Sequence, residues 1–242
     1  MKRRREMEKQ VNSSELRSAI EVISLFSVKK LDHHHGHEDQ VKVQDQVVKY
    51  KQKDDDIYIP IKPFLSLCNF LLHLLDKIGP TMTVLRQDIH RNIQRLEKVQ
   101  ELDPILNSNV VEIVKKELNA GTSRKLTSCS KAFVWLTRSL DFTVNLLDLI
   151  EKDIKVEMEQ AVEKAYETSL KPWHGWISST AYRVALKLVP DNKTMIDILI
   201  SEAQDEETLK NDIKTFKSLL VPLLDEIHST LVSYGLDRLK AA

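Results

Sequence analysis

The run AFVWLTRSLDFTVNLLDLI, inside the segment 126–151, constrains this chain more than any other stretch. Read as a helix it is apolar on most sides, as a helix in the middle of a sandwich must be. No window reaches the ~18 apolar residues of a membrane span, and FLSLCNFLLHLL is too short. The helix therefore needs other protein elements around it. Five glycines and seven prolines in 242 residues favour long helices over turn-dense β structure. No segment sustains the alternation of a strand, and no internal repeat is present. The expected class is all-α, and a hydrophobic content of 42% is enough for a sizeable core.

The neighbours are legible in the same way. Residues 1–12 read as a charged tail and 13–242 as a single domain. SSELRSAIEVISLF offers Ser13 or Ser14 as an N-cap and Leu16, Ile20, Ile23 and Leu25 at helical spacing, which predicts a first packing helix over 13–28. Residues 29–56 are polar and read as a long flexible loop or a frayed helix. From Ile57 onward the pattern is helical: extended residues IYIP, a helix from about Pro63 closed by Gly79, and Pro80 in the first turn of the next. Short helices follow around 104–118, then the polar loop NAGTSRK and the segment 126–151. Helices over 155–171, 173–189, 192–203 and 206–233 complete the set.

Thirty-six basic and thirty-six acidic side chains leave no excess of positive charge for a nucleic-acid-binding face. Cys68 and Cys129 sit in apolar helical surroundings and read as small core residues without a disulfide. MKRRREMEKQ lacks the apolar stretch of a secretory signal, so a soluble, cytoplasmic chain is expected. The cluster His33, His34, His35 and His37 raises a metal site, because imidazoles ligate zinc and copper. Nothing around it fixes a geometry, and it reads as a solvated loop. There is no Gly-rich phosphate loop, no zinc-protease helix and no nucleophile elbow. The reading is a non-enzymatic protein with no cofactor.

Three segments carry less ordinary chemistry. In RQDIHRNIQRLEKV, Asp88, Asn92, Arg95 and Val99 fall within a ~60° arc of one helix face. Leu85, Ile89, Ile93 and Leu96 fill the adjoining arc as a buried stripe. An acid, an amide and a guanidinium thus line the margin of a core, either as a surface salt-bridge edge or as a ligand site. In VWLTRSLDF, Arg138 follows Trp135 by three on a helix that otherwise looks buried, so it needs a partner acid or a polar ligand. In AYETSLKPWHGWISS, His174 lies between Trp173 and Trp176, with Pro172 as a helix start. A histidine satisfied in the core and a functional one both fit, but two clustered tryptophans suit a membrane–water interface.

Together these segments resemble the glycolipid transfer protein family from about Pro63 to Pro190. PFLSLCNFLLHLLDKIG corresponds to an early helix of that family. DIHRNIQRLEKV is similar to its Asp-x-x-x-Asn-x-x-Lys element, with Arg95 at the lysine position. WLTRSLDF matches the Trp-Leu-x-Arg element, and AYETSLKPWHGW the Ala-Tyr…Leu…His-Gly-Trp element. The resemblance implies a two-layer helical sandwich that encloses lipid chains in an apolar tunnel, for which leucines and phenylalanines of 64–75 and 133–149 are lining candidates. It also implies a sphingolipid ligand, most simply a glycosylceramide. Asp88, Asn92 and Arg95 would bond its sugar hydroxyls and Trp135 would stack on the sugar ring. Asp88 would accept the ceramide amide N–H, His174 would donate to the acyl carbonyl, and Arg138 is an additional headgroup contact.

Charge separates the branches of the family. The relative that carries ceramide 1-phosphate has a cation in place of the asparagine and an arginine in place of the tryptophan. This chain has Asn92 and Trp135, which favours a glycolipid, although Arg95 and Arg138 retain some capacity for phosphate. Trp176 and Ile177 are expected to dock transiently on a membrane surface. A sphingolipid sensor acting through a protein partner is the alternative to a carrier, and the sequence does not identify that partner.

Overall fold

The computed structural model describes residues 15–33, 57–200 and 205–241. Nine α-helices lie among them: α1 Glu15–His33, α2 Ile61–Ile78, α3 Thr83–Leu102, α4 Val110–Asn119, α5 Cys129–Lys152, α6 Met158–Ser169, α7 Trp176–Leu186, α8 Asn192–Ile200 and α9 Glu206–Ser233. Short 3₁₀ turns at Pro80–Met82 and Lys171–Trp173 precede α3 and α7. No strand occurs among the described residues; the one β-type contact is an isolated bridge between Pro60 and Asn109.

Local chemistry sets the helix ends. Gly79 closes α2 with φ of 108°, a conformation that strains any side-chain-bearing residue, and its N–H donates to the Leu75 carbonyl. The Asn109 carboxamide accepts from Val111 N–H as the cap of α4 and from Ile59 N–H, tying the approach of α2 to the start of α4. At α5 the Ser128 hydroxyl accepts from Lys131 N–H, while the Glu117 carboxylate accepts from Cys129 N–H, Ser130 N–H and the Ser130 hydroxyl. These acceptors satisfy helix-start donors that have no partner within the helix.

Helix α5 is central, packing against α3, α4, α6 and α9. Helices α1, α2 and α3 are successive neighbours, and α9 closes the circuit by packing on both α1 and α5. Phe64 of α2 meets Phe133 of α5 edge-on at 5.1 Å, and Phe70 approaches Phe216 of α9 at 5.7 Å. Lys217 of α9 pairs with Asp148 and Glu151 of α5.

Several expectations need correction. Helix α1 continues to His33, past the expected end at 28, so of the two readings of the polar stretch residues 29–33 take the helical one. The tail 1–12, Ser13, Ser14 and His34, His35 and His37 lie outside the described residues. Helix α2 begins at Ile61, two residues before Pro63, because a proline in the first turn needs no N–H. Residues 104–108 form turns, leaving one helix, Val110–Asn119, in that region. Pro172 is the second residue of the 3₁₀ turn and does not start α7, which begins at Trp176 behind the extended residues His174 and Gly175. Leu85 is 41% exposed, whereas Ile89, Ile93 and Leu96 are buried; the buried stripe starts one turn later than its spacing suggested. Cys68 and Cys129 are buried free thiols, and burial raises the pKa of both, that of Cys129 to about 12.

Candidate functional site

The polar line of α3 is a chain of hydrogen bonds running from solvent inward. Asp88 is exposed, and its carboxylate accepts no hydrogen bond among the described residues. Asn92, 6% exposed, donates through Nδ2 to the Asp88 carbonyl at 3.1 Å and accepts at Oδ1 from Arg95 Nη1 at 2.9 Å. Both polar ends of the Asn92 amide are engaged, so its orientation is set. Arg95 is half-buried, and its backbone carbonyl lies 3.5 Å from the Cys129 thiol, where α3 meets the first turn of α5.

Trp135 and Arg138 share one face of α5, as their spacing requires. Arg138 is only 3% exposed. Its guanidinium lies 4.9 Å from the Trp135 ring centre and 4.1 Å from that of Trp173. The sequence called for a partner acid or a polar ligand; instead Nη1 donates to the Leu239 carbonyl at 2.5 Å and Nη2 to that of Asp237 at 2.8 Å. Desolvation lowers its pKa to about 10, against the pull of Asp141 and Asp237. The guanidinium remains charged at neutral pH.

His174 joins the same cluster. Its ring centre is 5.5 Å from that of Trp135 and 5.4 Å from that of Tyr166, and Nδ1 lies 3.2 Å from the Tyr166 hydroxyl. Tyr166 also reaches Ser179 at 3.4 Å. Burial lowers the His174 pKa below 6.5, the Arg138 charge lowers it further, and Asp88 pulls the other way. Asp88 of α3, Arg138 of α5 and His174 of the turn before α7 therefore share one electrostatic neighbourhood, and at neutral pH the imidazole is uncharged.

The two tryptophans beside His174 part company. Trp173 is half-buried beneath Arg138, and its carbonyl accepts from Ala241 N–H at 2.9 Å. Trp176 is 79% exposed at the start of α7, with Ile177 exposed beside it.

A family model described as "Glycolipid transfer protein (GLTP)" matches residues 59–201. "Glycolipid transfer protein 3" of Arabidopsis thaliana is 47% identical over 245 residues, covering 100% of both chains. The chain belongs to the glycolipid transfer protein family. "Glycolipid transfer protein 2" of the same plant is also 47% identical, again over 100% of both chains. Among solved structures, the GLTP-fold with which FAPP2 selects simple glycosphingolipids superposes with a TM-score of 0.69 at 22% identity, covering 78% of this chain and 92% of that one. A mutant of the Arabidopsis accelerated-cell-death 11 protein complexed with a ceramide-1-phosphate gives 0.71 at 18% identity, covering 93% and 97%. The all-α GLTP-fold is thereby established.

Asp88, Asn92, Arg95, Trp135, Arg138, His174, Trp176 and Ile177 all lie inside the stretch that matches the glycolipid transfer protein family. The carbonyls of Asp237 and Leu239 lie beyond it, in the C-terminal tail. Sequence reasoning missed that tail, since backbone carbonyls leave no side-chain signature. It also passed over Tyr166, which had been in view within AYETSLKPWHGW. Among the described residues no His, Cys, Asp and Glu are grouped to hold a metal, and no helix is long and apolar enough to cross a membrane.

Proposed function

We propose that this chain is a non-enzymatic carrier that binds a sphingolipid with a sugar headgroup and moves it between membranes. One observation carries the reading: His174 lies with its ring centre 5.5 Å from that of the Trp135 indole on α5, and α3, which packs on α5, carries the exposed Asp88 carboxylate with no hydrogen-bond partner among the described residues. An exposed carboxylate without a partner is available to an amide N–H or a hydroxyl. In the tautomer in which Nδ1 accepts from the Tyr166 hydroxyl, 3.2 Å away, the ring proton of His174 is on Nε2 and can donate to an acyl carbonyl. The indole offers a flat apolar surface to a pyranose ring. The lipids named for the two structural relatives, simple glycosphingolipids and a ceramide-1-phosphate, support a sphingolipid ligand, and the sugar headgroup rests on Asn92 and Trp135.

The hydrocarbon chains need a place away from water, at ~0.8 kcal/mol for each methylene buried. Phe64, Leu67, Phe133, Leu136 and Leu140, within the segments expected to line a tunnel, are fully buried in one contiguous cluster. Lipid chains enter by parting these side chains, which helices sliding on one another allow without breaking a backbone hydrogen bond. Trp176 and Ile177 supply reversible contact with the bilayer.

The test is mass spectrometry of lipids extracted from the purified protein, followed by transfer between donor and acceptor vesicles. Co-purifying glycosphingolipid and rapid transfer support the carrier. Binding without transfer would replace it with a sensor, and the absence of any bound or transferred sphingolipid would overturn it.

A further inference from the structure

Arg138 is not free for an anionic headgroup, because its two hydrogen bonds to the C-terminal tail and the indoles of Trp135 and Trp173 occupy it. Two other cations flank the site. Arg95 is half-buried, and among the described residues its guanidinium makes one hydrogen bond, to the neutral amide of Asn92. A guanidinium has five N–H donors, so most of its capacity is unused. No acid stands one helical turn away: its neighbours at three and four residues are Arg91, Asn92, Lys98 and Val99. Arg91 and Arg95 are a like-charged pair at a spacing that destabilises a helix.

Lys131 is half-buried on α5, one turn before Trp135 and two turns before Arg138 on the same face. Its neighbours at helical spacing are Thr127, Ser128, Val134 and Trp135, none of them acidic. The acid bonded to this first turn, Glu117, already accepts from Cys129 and Ser130. The Cys129 thiol in the same turn lies against the Arg95 carbonyl, which brings the two cation-bearing segments to one end of the site. Neither cation pairs with a carboxylate among the described residues. Half-buried charges without a counter-charge are poorly compensated, and a bound anion would complete both.

From this arrangement we infer that the preferred lipid is an acidic glycosphingolipid, its sugar met by Asn92 and Trp135 and an attached oxyanion, sulfate or phosphate, met by Arg95 and Lys131. The inference rests on the carrier reading above and deepens it: the site takes a sugar and a negative charge together.

The experiment compares three short-acyl probes on the purified chain: galactosylceramide, 3-O-sulfogalactosylceramide and ceramide 1-phosphate. The sulfated lipid is expected to bind about fivefold or more tightly than the neutral one, as charge-assisted hydrogen bonds are the stronger kind. That advantage should shrink between ~50 and ~500 mM NaCl as screening grows. Lys131→Leu, Lys131→Gln and Arg95→Gln should each bring the ratio of the two affinities towards one, with the denaturant midpoint confirming folding. Lys214→Leu, an exposed charge on α9, should leave the ratio as it is. Equal affinities in the unmodified chain overturn the inference while the carrier reading stands. Tighter binding of ceramide 1-phosphate than of the sulfated glycolipid also overturns it, since the anion would then need no sugar. No binding of any of the three removes the carrier reading itself.

Discussion

The guanidinium of Arg138 lies 4.1 Å from the ring centre of Trp173, on the residue next to His174. The same group holds the carbonyls of Asp237 and Leu239. One buried cation thus binds α5, the turn that carries His174 and the C-terminal tail into a single unit. Arg138→Leu should destabilise the fold by about 2–4 kcal/mol, because two charge-assisted hydrogen bonds are lost and the carbonyls are left without donors. Denaturant unfolding measures this, and limited proteolysis should show earlier cleavage within 237–241. An unchanged midpoint would mean that the tail is held by its other contacts.

Asp88→Val should abolish glycolipid transfer and leave the melting temperature nearly unchanged. Asp88 is exposed and its carboxylate has no partner within the described chain, so removing it should alter stability by no more than about 0.5 kcal/mol. Vesicle transfer and thermal denaturation on one preparation decide the matter. Intact transfer with a lowered melting temperature would assign Asp88 to the fold.

Trp176→Ala tests docking separately from binding. At 79% exposure the indole has little to lose from truncation, and the denaturant midpoint should barely move. A core tryptophan would lose roughly 3–5 kcal/mol. Vesicle partition and transfer should fall, with the affinity for a soluble short-chain glycolipid close to that of the unmodified chain. Undiminished partition would remove Trp176 from the docking surface.

The pair His228–Asp141 links α9 to α5, with Nε2 3.0 Å from Oδ1. The hydrogen bond to Asp141 raises the His228 pKa above 6.5, aided by Asp141 and Asp225 as charges and opposed by burial and by Arg138. A raised folded value means that the pair's contribution is complete below the unfolded value of about 6.5 and is lost as pH rises through the folded one. The histidine is 43% exposed, so after screening the effect is under about 1 kcal/mol. The stability difference between the unmodified chain and His228→Gln, followed from acid to mildly alkaline pH, should narrow as pH rises. A difference independent of pH would exclude the linkage.

How much of this was legible beforehand depends on which forces leave a local trace. The all-α class followed from periodicity, since an apolar stripe at helical spacing has few other uses. Gly79 and Pro80 marked the break between α2 and α3, because backbone conformation restricts what can stand there. Asp88, Asn92 and Arg95 could be placed on one face by rotation alone, and the Arg95–Asn92 hydrogen bond follows from a spacing of three. Leu85 was misread for the complementary reason. A stripe gives direction around a helix, but where the neighbouring helix ends is not written in that stripe.

Spacing along one helix was therefore enough to say that Arg138 needed a partner, and that Trp135 lay on the same side. Only the tertiary structure supplied that partner, a pair of carbonyls about a hundred residues away. Only it separated Trp173, covered by Arg138, from Trp176, turned to solvent. Sequence determines the chemistry that each segment carries and the face on which it lies, because these depend on residue type and helical rotation. Which faces meet depends on how the helices bury their apolar surface together. That is a sum over long-range contacts, and no single segment encodes it.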